Sequence, residues 1–477
     1  MAEPPHHATA LELGRAIAER TLSPVEVVTH YLDRIERWNE RYGAYTTVTA
    51  DLALELAARA EAALADGQVP TGPLFGVPIP VKDLTNLAGV ATGYGSAAYR
   101  DQVPDVDDHV VTAVLAAGMI PLGKSSTPEF GLPCYTEPVG LPPARSPWDT
   151  RRGAGGSSGG AAAAVAAGLA PLAHGSDGGG SIRIPASVCG LVGLKPTRDR
   201  ISSAPRGGDP AGLGCHGPLA RTVRDAAALL DVLAGPVLGD AHLTPVAEPF
   251  LPAVDRDPGR LRIGRHLTPI VADTEVHPEA VRAWEQTSQL LADLGHQVED
   301  CPPVGDRATV PLFETVWAVG AASVPVEAAH EELLTPLTRW LRRRGQAVSA
   351  VEYAQALGGI QQAARCWLTG SAGYDLVLTP TLSQPPALVG ELRDDADPAA
   401  DFENQKRFTP WTSVYNVTGQ PAVSLPLHWW ETDETDGATL PIGVMLAARA
   451  GEEALLLSAA GQLEAARPWA HRWPAGC

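Results

Sequence analysis

The sequence predicts an α/β fold in which a β-sheet is covered by helices. Two observations carry that prediction. Helical and extended patterns alternate along much of the chain, and the apolar content, 45% of 477 residues, is enough for a large buried core. Near the N-terminus, Ser23-Pro24-Val25-Glu26 reads as a capping box with proline at the first helical position. Val27, Val28, Tyr31, Leu32 and Ile35 then recur at helical spacing and mark a core-facing stripe. A second, alanine-rich helix is expected from Asp51 to Asp66, stopping at Gly67. Phe75 to Asp83 reads as a short extended segment, because Pro78 and Pro80 fix the backbone, and it ends in the charged pair Lys82-Asp83.

Glycine, alanine and serine dominate from Gly153 to Thr197. Gly155 to Gly160 leads into a predicted helix over Ala161 to Ala167. Ala170 to His174 predicts a buried strand, followed by a loop over Ser176 to Ser181, a short helix, and a strand over Leu191 to Leu194. A helix over Arg221 to Leu233, a strand over Leu261 to Ile263, a helix over Pro278 to Leu294 and a strand over Leu376 to Thr379 continue the alternation. The acidic stretches Asp394 to Asp401 and Glu431 to Asp436 read as solvated loops. The chain shows no long flexible linker and no internal repeat, so one large domain is expected.

Composition narrows the function. A formal net charge of −19 argues against nucleic acid or an anionic membrane as partner, since both demand clustered Lys and Arg. The six cysteines, Cys134, Cys189, Cys215, Cys301, Cys366 and Cys477, include no C-x-x-C pair. Neither a zinc ribbon nor a redox dithiol is indicated, and reduced thiols in a cytoplasmic protein are expected. Met1 to Thr9 is polar, and no stretch approaches the twenty or so apolar residues that span a bilayer. No metal and no cofactor is called for.

Two motifs fail on physical grounds. Gly118-Met119-Ile120-Pro121-Leu122-Gly123-Lys124-Ser125 matches the P-loop pattern letter for letter. A phosphate cradle needs free backbone N–H groups in an open turn, whereas these residues are apolar and Pro121 has no N–H; the segment reads as a strand. The Gly153 to Gly160 run resembles a dinucleotide fingerprint, but its third glycine would fall on Ser158 and a polar loop precedes it.

Ser181 ends a run of three glycines between a predicted strand and a predicted helix. Glycines there permit a sharp turn that exposes several N–H groups together. If Ser181 attacks a carbonyl carbon, the N–H groups of Gly178, Gly179, Gly180 and Ser181 are the candidate holders of the oxyanion. A nucleophilic serine needs a base. His174 is near in sequence but has no identifiable acidic partner, and a lone histidine ending an apolar strand is more often structural. Lys82 ends an apolar segment, and burial would lower its pKa into the range of a working base. In extended geometry Asp83 points to the opposite face, so it need not hold Lys82 charged.

The segments G-V-P-I-P-V-K-D, G-G-S-S-G-G, S-D-G-G-G-S-I-R-I-P-A and G-L-K-P-T, in that order, resemble the amidase signature family. The resemblance runs on to Gly419-Gln420-Pro421-Ala422 and Pro441-Ile442-Gly443-Val444 and so covers nearly the whole chain. It implies a mixed β-sheet core with helices on both faces. It also implies one amidase domain over 1–477: N-terminal helices in 1–70, a catalytic core in 71–235, and the rest of the sheet with the pocket region in 236–477. By the same resemblance the triad is Lys82, Ser157 and Ser181, with Ser157 the family's serine on a cis peptide bond, working through an acyl-enzyme. Ser158 is a candidate support for that network, or equally a helix N-cap, and Arg183 is expected to brace the loop with Asp177. Gly178 is a departure, since many relatives carry a larger residue there; the loop's rigidity is the feature it puts in question.

The run from His174 to Ser202 is most similar to bacterial amidases of small or cyclic amides, nylon-oligomer hydrolases among them. Substrate-facing residues are expected in a less regular later half. Phe313, Trp317, Trp411 and Tyr415 are the candidates for an apolar wall, although core packing is the commoner role of such residues. The implied substrate is a small amide, with esters, anilides and carbamates (a urethanase activity) open to the same mechanism, and the implied assembly is a monomer or homodimer. The alternatives are the glutamine-amidase subunit of a transfer-RNA-dependent amidotransferase, or a scaffold without catalysis.

Overall fold

The computed structural model describes residues 4–242, 244–431 and 439–477. Its strands are β1 (Tyr45–Val48), β2 (Pro78–Lys82), β3 (Ile120–Ser125), β4 (Leu172–Asp177), β5 (Val192–Lys195), β6 (Cys215–Ala220), β7 (Arg262–Arg265), β8 (Gln297–Asp300), β9 (Leu376–Pro380), β10 (Ala422–Glu431) and β11 (Thr439–Ala448). Eight of them form a mixed sheet in the order β4-β6-β5-β10-β11-β9-β7-β8. Its strands run antiparallel from β4 to β9 and parallel from β9 through β7 to β8.

The strand that ends in Lys82 is not part of this sheet. It sits at the edge of a three-stranded sheet, order β1-β3-β2, where it pairs with β3 in parallel. Pro78 and Pro80 suit that edge, because neither has an N–H to offer to a second neighbouring strand. The P-loop look-alike is β3 itself, buried along its whole length.

The helices begin and end where local chemistry dictates. Pro24–Tyr42 opens on the Ser23 side chain, which accepts from the N–H groups of Val25 and Glu26, and closes on Gly43 at φ 57°. Val27, Val28, Tyr31 and Ile35 are buried from it into an apolar cluster that runs from Ala10 to Trp469. The Gly159–Ala166 helix is buried on every side. Its sequence, GGAAAAVA, suits a helix pressed between other elements, because larger side chains would not fit.

The later half is more regular than its sequence suggests. Helices Val310–Ser323, Pro336–Gln346 and Ala350–Gly370 occupy a stretch that carries no clear amphipathic signal in the first of them. Asp394 to Asp401 is not a solvated loop throughout. Asp397 caps the Pro398–Phe408 helix by accepting from Ala399 and Ala400, and Asp401 is fully buried as the acceptor of the Tyr135 hydroxyl at 2.7 Å. Of the second acidic stretch, Glu431 ends β10 and residues 432–436 lie outside the described residues. No helix among the described residues is long and apolar enough to cross a membrane.

Gly160 shows how tightly the small-residue helix is seated. A Cβ there would lie 2.3 Å from the Ser126 backbone nitrogen and 2.4 Å from the Ala44 carbonyl oxygen. Gly160→Ala should therefore destabilise the protein by about 1–3 kcal/mol, despite alanine's better helix propensity. Urea unfolding measures this; an unchanged midpoint would mean that the helix can shift away from its neighbours.

Candidate active site

Three elements meet here, joined where the Ser158 N–H donates to the Ser181 carbonyl at 3.1 Å and where Lys82 reaches Ser157. Lys82 ends β2, Ser157 and Ser158 precede the Gly159–Ala166 helix, and Ser181 lies between β4 and the Arg183–Cys189 helix. The Gly156–Ser157 peptide bond is cis. Lys82 is fully buried, Ser157 is 2% exposed and Ser181 is 7% exposed. Of the three, only Ser181 lines the adjoining cavity.

The Lys82 ammonium or amine nitrogen lies 2.8 Å from Ser157 Oγ, 3.0 Å from Ser176 Oγ and 3.1 Å from the Ser176 carbonyl oxygen. Burial lowers its pKa from 10.5 to about 7, against a smaller opposing pull from the Asp177 carboxylate. Asp83 faces away and pairs with Lys124 at 3.3 Å, on the neighbouring strand. Ser176 was not among the sequence candidates, although it sits within the same S-D-G-G-G-S run.

Two other lysines are equally buried, and burial lowers both of their pKa values too. Lys124 Nζ donates to Thr85 O and Thr92 Oγ1 beside its Asp83 partner, and Lys195 Nζ donates to Pro196 O. Neither touches a serine. Lys82 differs from them in its partners and not in its burial.

His174 has no reach to either serine hydroxyl. Its Nδ1 accepts the Lys82 backbone N–H at 3.4 Å, and its Nε2 lies 3.0 Å from Nδ1 of His216. Burial drives its pKa well below 6.5, with His216 and Lys82 adding to the shift. It is a neutral imidazole that ties β4 to β2.

Asp177 and Arg183 brace the loop between β4 and Ser181. Arg183 donates to both carboxylate oxygens, Nε to Oδ2 at 3.0 Å and Nη2 to Oδ1 at 2.8 Å, and both residues are fully buried. Burial alone would raise the Asp177 pKa; the guanidinium overrides it and holds the carboxyl well below the usual carboxylate range. The same carboxylate accepts the N–H groups of Gly180 at 2.8 Å and Ile182 at 3.1 Å. This removes one of the four expected oxyanion donors, since the Gly180 N–H is already committed. Among the described residues, the N–H groups of Gly178, Gly179 and Ser181 have no protein acceptor. Ser158 stands at the N-cap position but makes no capping bond; its hydroxyl donates to Ser176 O at 3.2 Å and accepts from Ser176 N at 3.3 Å.

The cavity beside Ser181 is walled by Leu132, Ile184, Val271, Phe313, Trp317 and Phe402, with Gln405 and Lys406 among its polar members. Phe313 and Trp317 stack, with ring centroids 5.5 Å apart and planes inclined by 19°. The indole of Trp317 lies over Gly178, where a Cβ would come within 3.5 Å of it. Trp411 and Tyr415 do not line the cavity: they are buried in a separate apolar cluster, and Trp411 Nε1 donates to Thr268 O. Their aromatic character in the sequence marked core, not pocket.

Comparison with known proteins gives the family. The amidase family model matches residues 26–457. A putative amidase of Synechocystis is 36% identical over 96% of this chain and 88% of its own. The 6-aminohexanoate-cyclic-dimer hydrolase of Paenarthrobacter ureafaciens is 38% identical over 87% of each chain. A solved structure of a 6-aminohexanoate cyclic dimer hydrolase with its substrate superposes with a TM-score of 0.88 over 98% of this chain and 99% of that one, at 33% identity. With its mixed sheet, its serine-rich glycine loops and this breadth of similarity, the chain belongs to the amidase signature family, whose chemistry is the hydrolysis of amide bonds.

Proposed function

We propose that the chain is a serine-dependent amidohydrolase that opens a carboxylic C–N bond through an acyl-enzyme on Ser181, with Ser157 as relay and Lys82 as base. The observation that carries this reading is the 2.8 Å contact between Ser157 Oγ and the fully buried Lys82 amine, whose pKa burial pushes down to about 7. A neutral Lys82 takes the Ser157 proton, Ser157 takes the Ser181 proton, and Ser181 Oγ bonds to the carbonyl carbon. The tetrahedral oxyanion is held by free N–H groups of the glycine loop. The relay returns its proton to the leaving nitrogen, the C–N bond breaks and the amine departs. Water then attacks the ester along the same relay and releases the acid and free Ser181.

The apolar cavity wall supports a substrate with a hydrocarbon acyl or leaving group, and the Phe313–Trp317 stack favours a flat one. The route through an acyl-enzyme also accepts esters, anilides and carbamates. The glutamine-amidase reading is less well supported. A glutamine brings an ammonium and a carboxylate, and Lys406, the charged residue among those lining the cavity, is already paired with Glu314 and Glu403.

Three outcomes are expected. A fluorophosphonate should add one label to the protein, seen by intact mass, and Ser181→Ala should abolish it; a labelled Ser181→Ala protein would place the nucleophile elsewhere. For the wild type, kcat/KM should rise as pH climbs toward about 7 and level off above it, because only the deprotonated amine works as base. Lys82→Met should lose activity by roughly 10²–10⁴-fold and lose that inflection, whereas near-normal turnover at neutral pH refutes the base. Trp317→Ala should raise KM for aryl amides by about tenfold with a smaller change for acetamide, the scale of one aromatic contact. An equal effect on both substrates would remove Trp317 from the pocket's selectivity.

A further inference from the structure

The segment Gly178-Gly179-Gly180 has no side chains with which to hold its own shape, so its peptide planes are set by neighbours. In a trans peptide the C=O and N–H point to opposite sides, and a carbonyl pinned on one side turns its N–H to the other. The Asp177 carbonyl accepts from Asn416 Nδ2 at 2.9 Å, which turns the Gly178 N–H away from Asn416. The Gly180 carbonyl accepts the Ile184 N–H at 2.8 Å, which turns the Ser181 N–H away from that helix. Between these two lies the peptide that joins Gly179 to Gly180. Its N–H donates to Asp177 Oδ1 at 2.8 Å, and its carbonyl accepts from the Thr412 hydroxyl at 2.6 Å.

Thr412 is suited to that task. It is fully buried, and its own carbonyl accepts from Arg183 Nη1 at 2.8 Å, so the residue is anchored to the loop's brace from its other end. Its side chain fills the space that any side chain at 180 would need. Gly180 has φ 131°, and a Cβ there would lie 2.4 Å from Thr412 Oγ1. Without the hydroxyl the Gly179 carbonyl loses its partner, the plane is held only through the Gly180 N–H on Asp177 Oδ1, and glycine offers little resistance to its tilting about that one bond. A carbonyl oxygen turned toward the reacting centre would repel the oxyanion that the adjacent N–H groups stabilise.

We propose that Thr412 is a positioning residue for amide hydrolysis: its hydroxyl, by donating to Gly179 O, keeps the glycine loop with its free N–H groups presented to the developing oxyanion. This rests on Ser181 as nucleophile. Because the oxyanion is absent from bound substrate and forms only in the tetrahedral intermediate and the transition states that flank it, the effect belongs in kcat and not in substrate binding.

The test compares Thr412→Val, which keeps the volume and removes the donor, with Thr412→Ser, which keeps the donor. Hexanamide serves as substrate and pentylboronic acid, which forms a tetrahedral adduct with a nucleophilic serine, as mimic of the intermediate. Thr412→Val should lower kcat by about 10–100-fold with KM within about threefold of wild type, a fraction of what deleting a direct donor costs. The inhibition constant of the boronate should rise by the same factor as kcat falls, and Thr412→Ser should restore both. Should the valine variant not fold, Thr412→Ala carries the same expectation, with circular dichroism confirming the fold. The proposal is overturned by a donor-free variant with wild-type kcat and boronate affinity, by a loss confined to KM, or by a serine variant as slow as the valine one. Fluorophosphonate labelling separates the two levels. If Ser181→Ala still labels, the nucleophile is wrong; if it does not and Thr412→Val is fully active, only the role of Thr412 falls.

Discussion

An amine kept out of water, with no carboxylate of its own to neutralise it, is the constraint around which this site is built. A shift from 10.5 to about 7 makes the Lys82 ammonium about 5 kcal/mol less favourable than in water. Such a shift survives only if nearby carboxylates are engaged elsewhere, because an opposite charge at close range would restore the ammonium. Asp83, next in sequence, faces Lys124. Asp177, the carboxylate whose charge does reach Lys82, is gripped through both oxygens by Arg183. Each carboxylate near the amine has its own cation, and what remains for Lys82 is two hydroxyls and a carbonyl.

The same pairing sets the geometry of the loop. Asp177 is ionised because of Arg183, and as an ionised acceptor it can take the N–H groups of Gly180 and Ile182 together. Arg183 in turn reaches Thr412 O and Asn416 Oδ1, residues more than two hundred positions later in the chain. The cavity is joined across the chain in a similar way. Gln405 accepts the Cys134 N–H at 2.9 Å, and Tyr135 donates to Asp401 on the same helix. Glu129 takes the N–H and the hydroxyl of Thr335, at 2.8 and 2.7 Å. The first half of the chain supplies the candidate reacting groups, and the later half supplies much of the apolar wall and the contacts that tie it to the first half.

This division explains what could be read from sequence. The strands β2, β4, β5, β7 and β9 and the helices at Pro24–Tyr42, Gly159–Ala166 and Pro278–Asp293 announce themselves through local signals: caps, prolines, apolar runs and glycine stops. The candidate reacting residues were legible because they lie in short runs whose odd composition demands a reason. Thr412 and Asn416 gave no such signal. They meet the loop only through the fold, and nothing in W-T-S-V-Y-N distinguishes a clamp from an ordinary buried turn. The aromatic residues show the same limit. Phe313 and Trp317 look no different in sequence from Trp411 and Tyr415, yet the first pair faces the cavity and the second packs behind it. The helix at Val310–Ser323 escaped notice because one side packs on neighbouring helices while the other presents Phe313 and Trp317 to the cavity, which erases the contrast between an apolar and a polar face.

Burial by itself does not identify a catalytic lysine in this chain. Lys124 and Lys195 are as deeply enclosed as Lys82, and desolvation lowers all three pKa values. Lys124 is held by a carboxylate and two oxygen acceptors, which is what a structural cation at a strand end requires. Lys195 gives its hydrogen bond to the next residue's carbonyl, an acceptor with no proton to yield. A base needs a neighbour that can lose a proton, and that neighbour must itself be within reach of the bond to be broken. Among the three, Lys82 alone has a serine hydroxyl for a neighbour, and the loop that bears Ser157 is bonded through the Ser158 N–H to the carbonyl of Ser181, which opens on the cavity. The perturbed amine becomes informative only through the chemistry of the atom it touches.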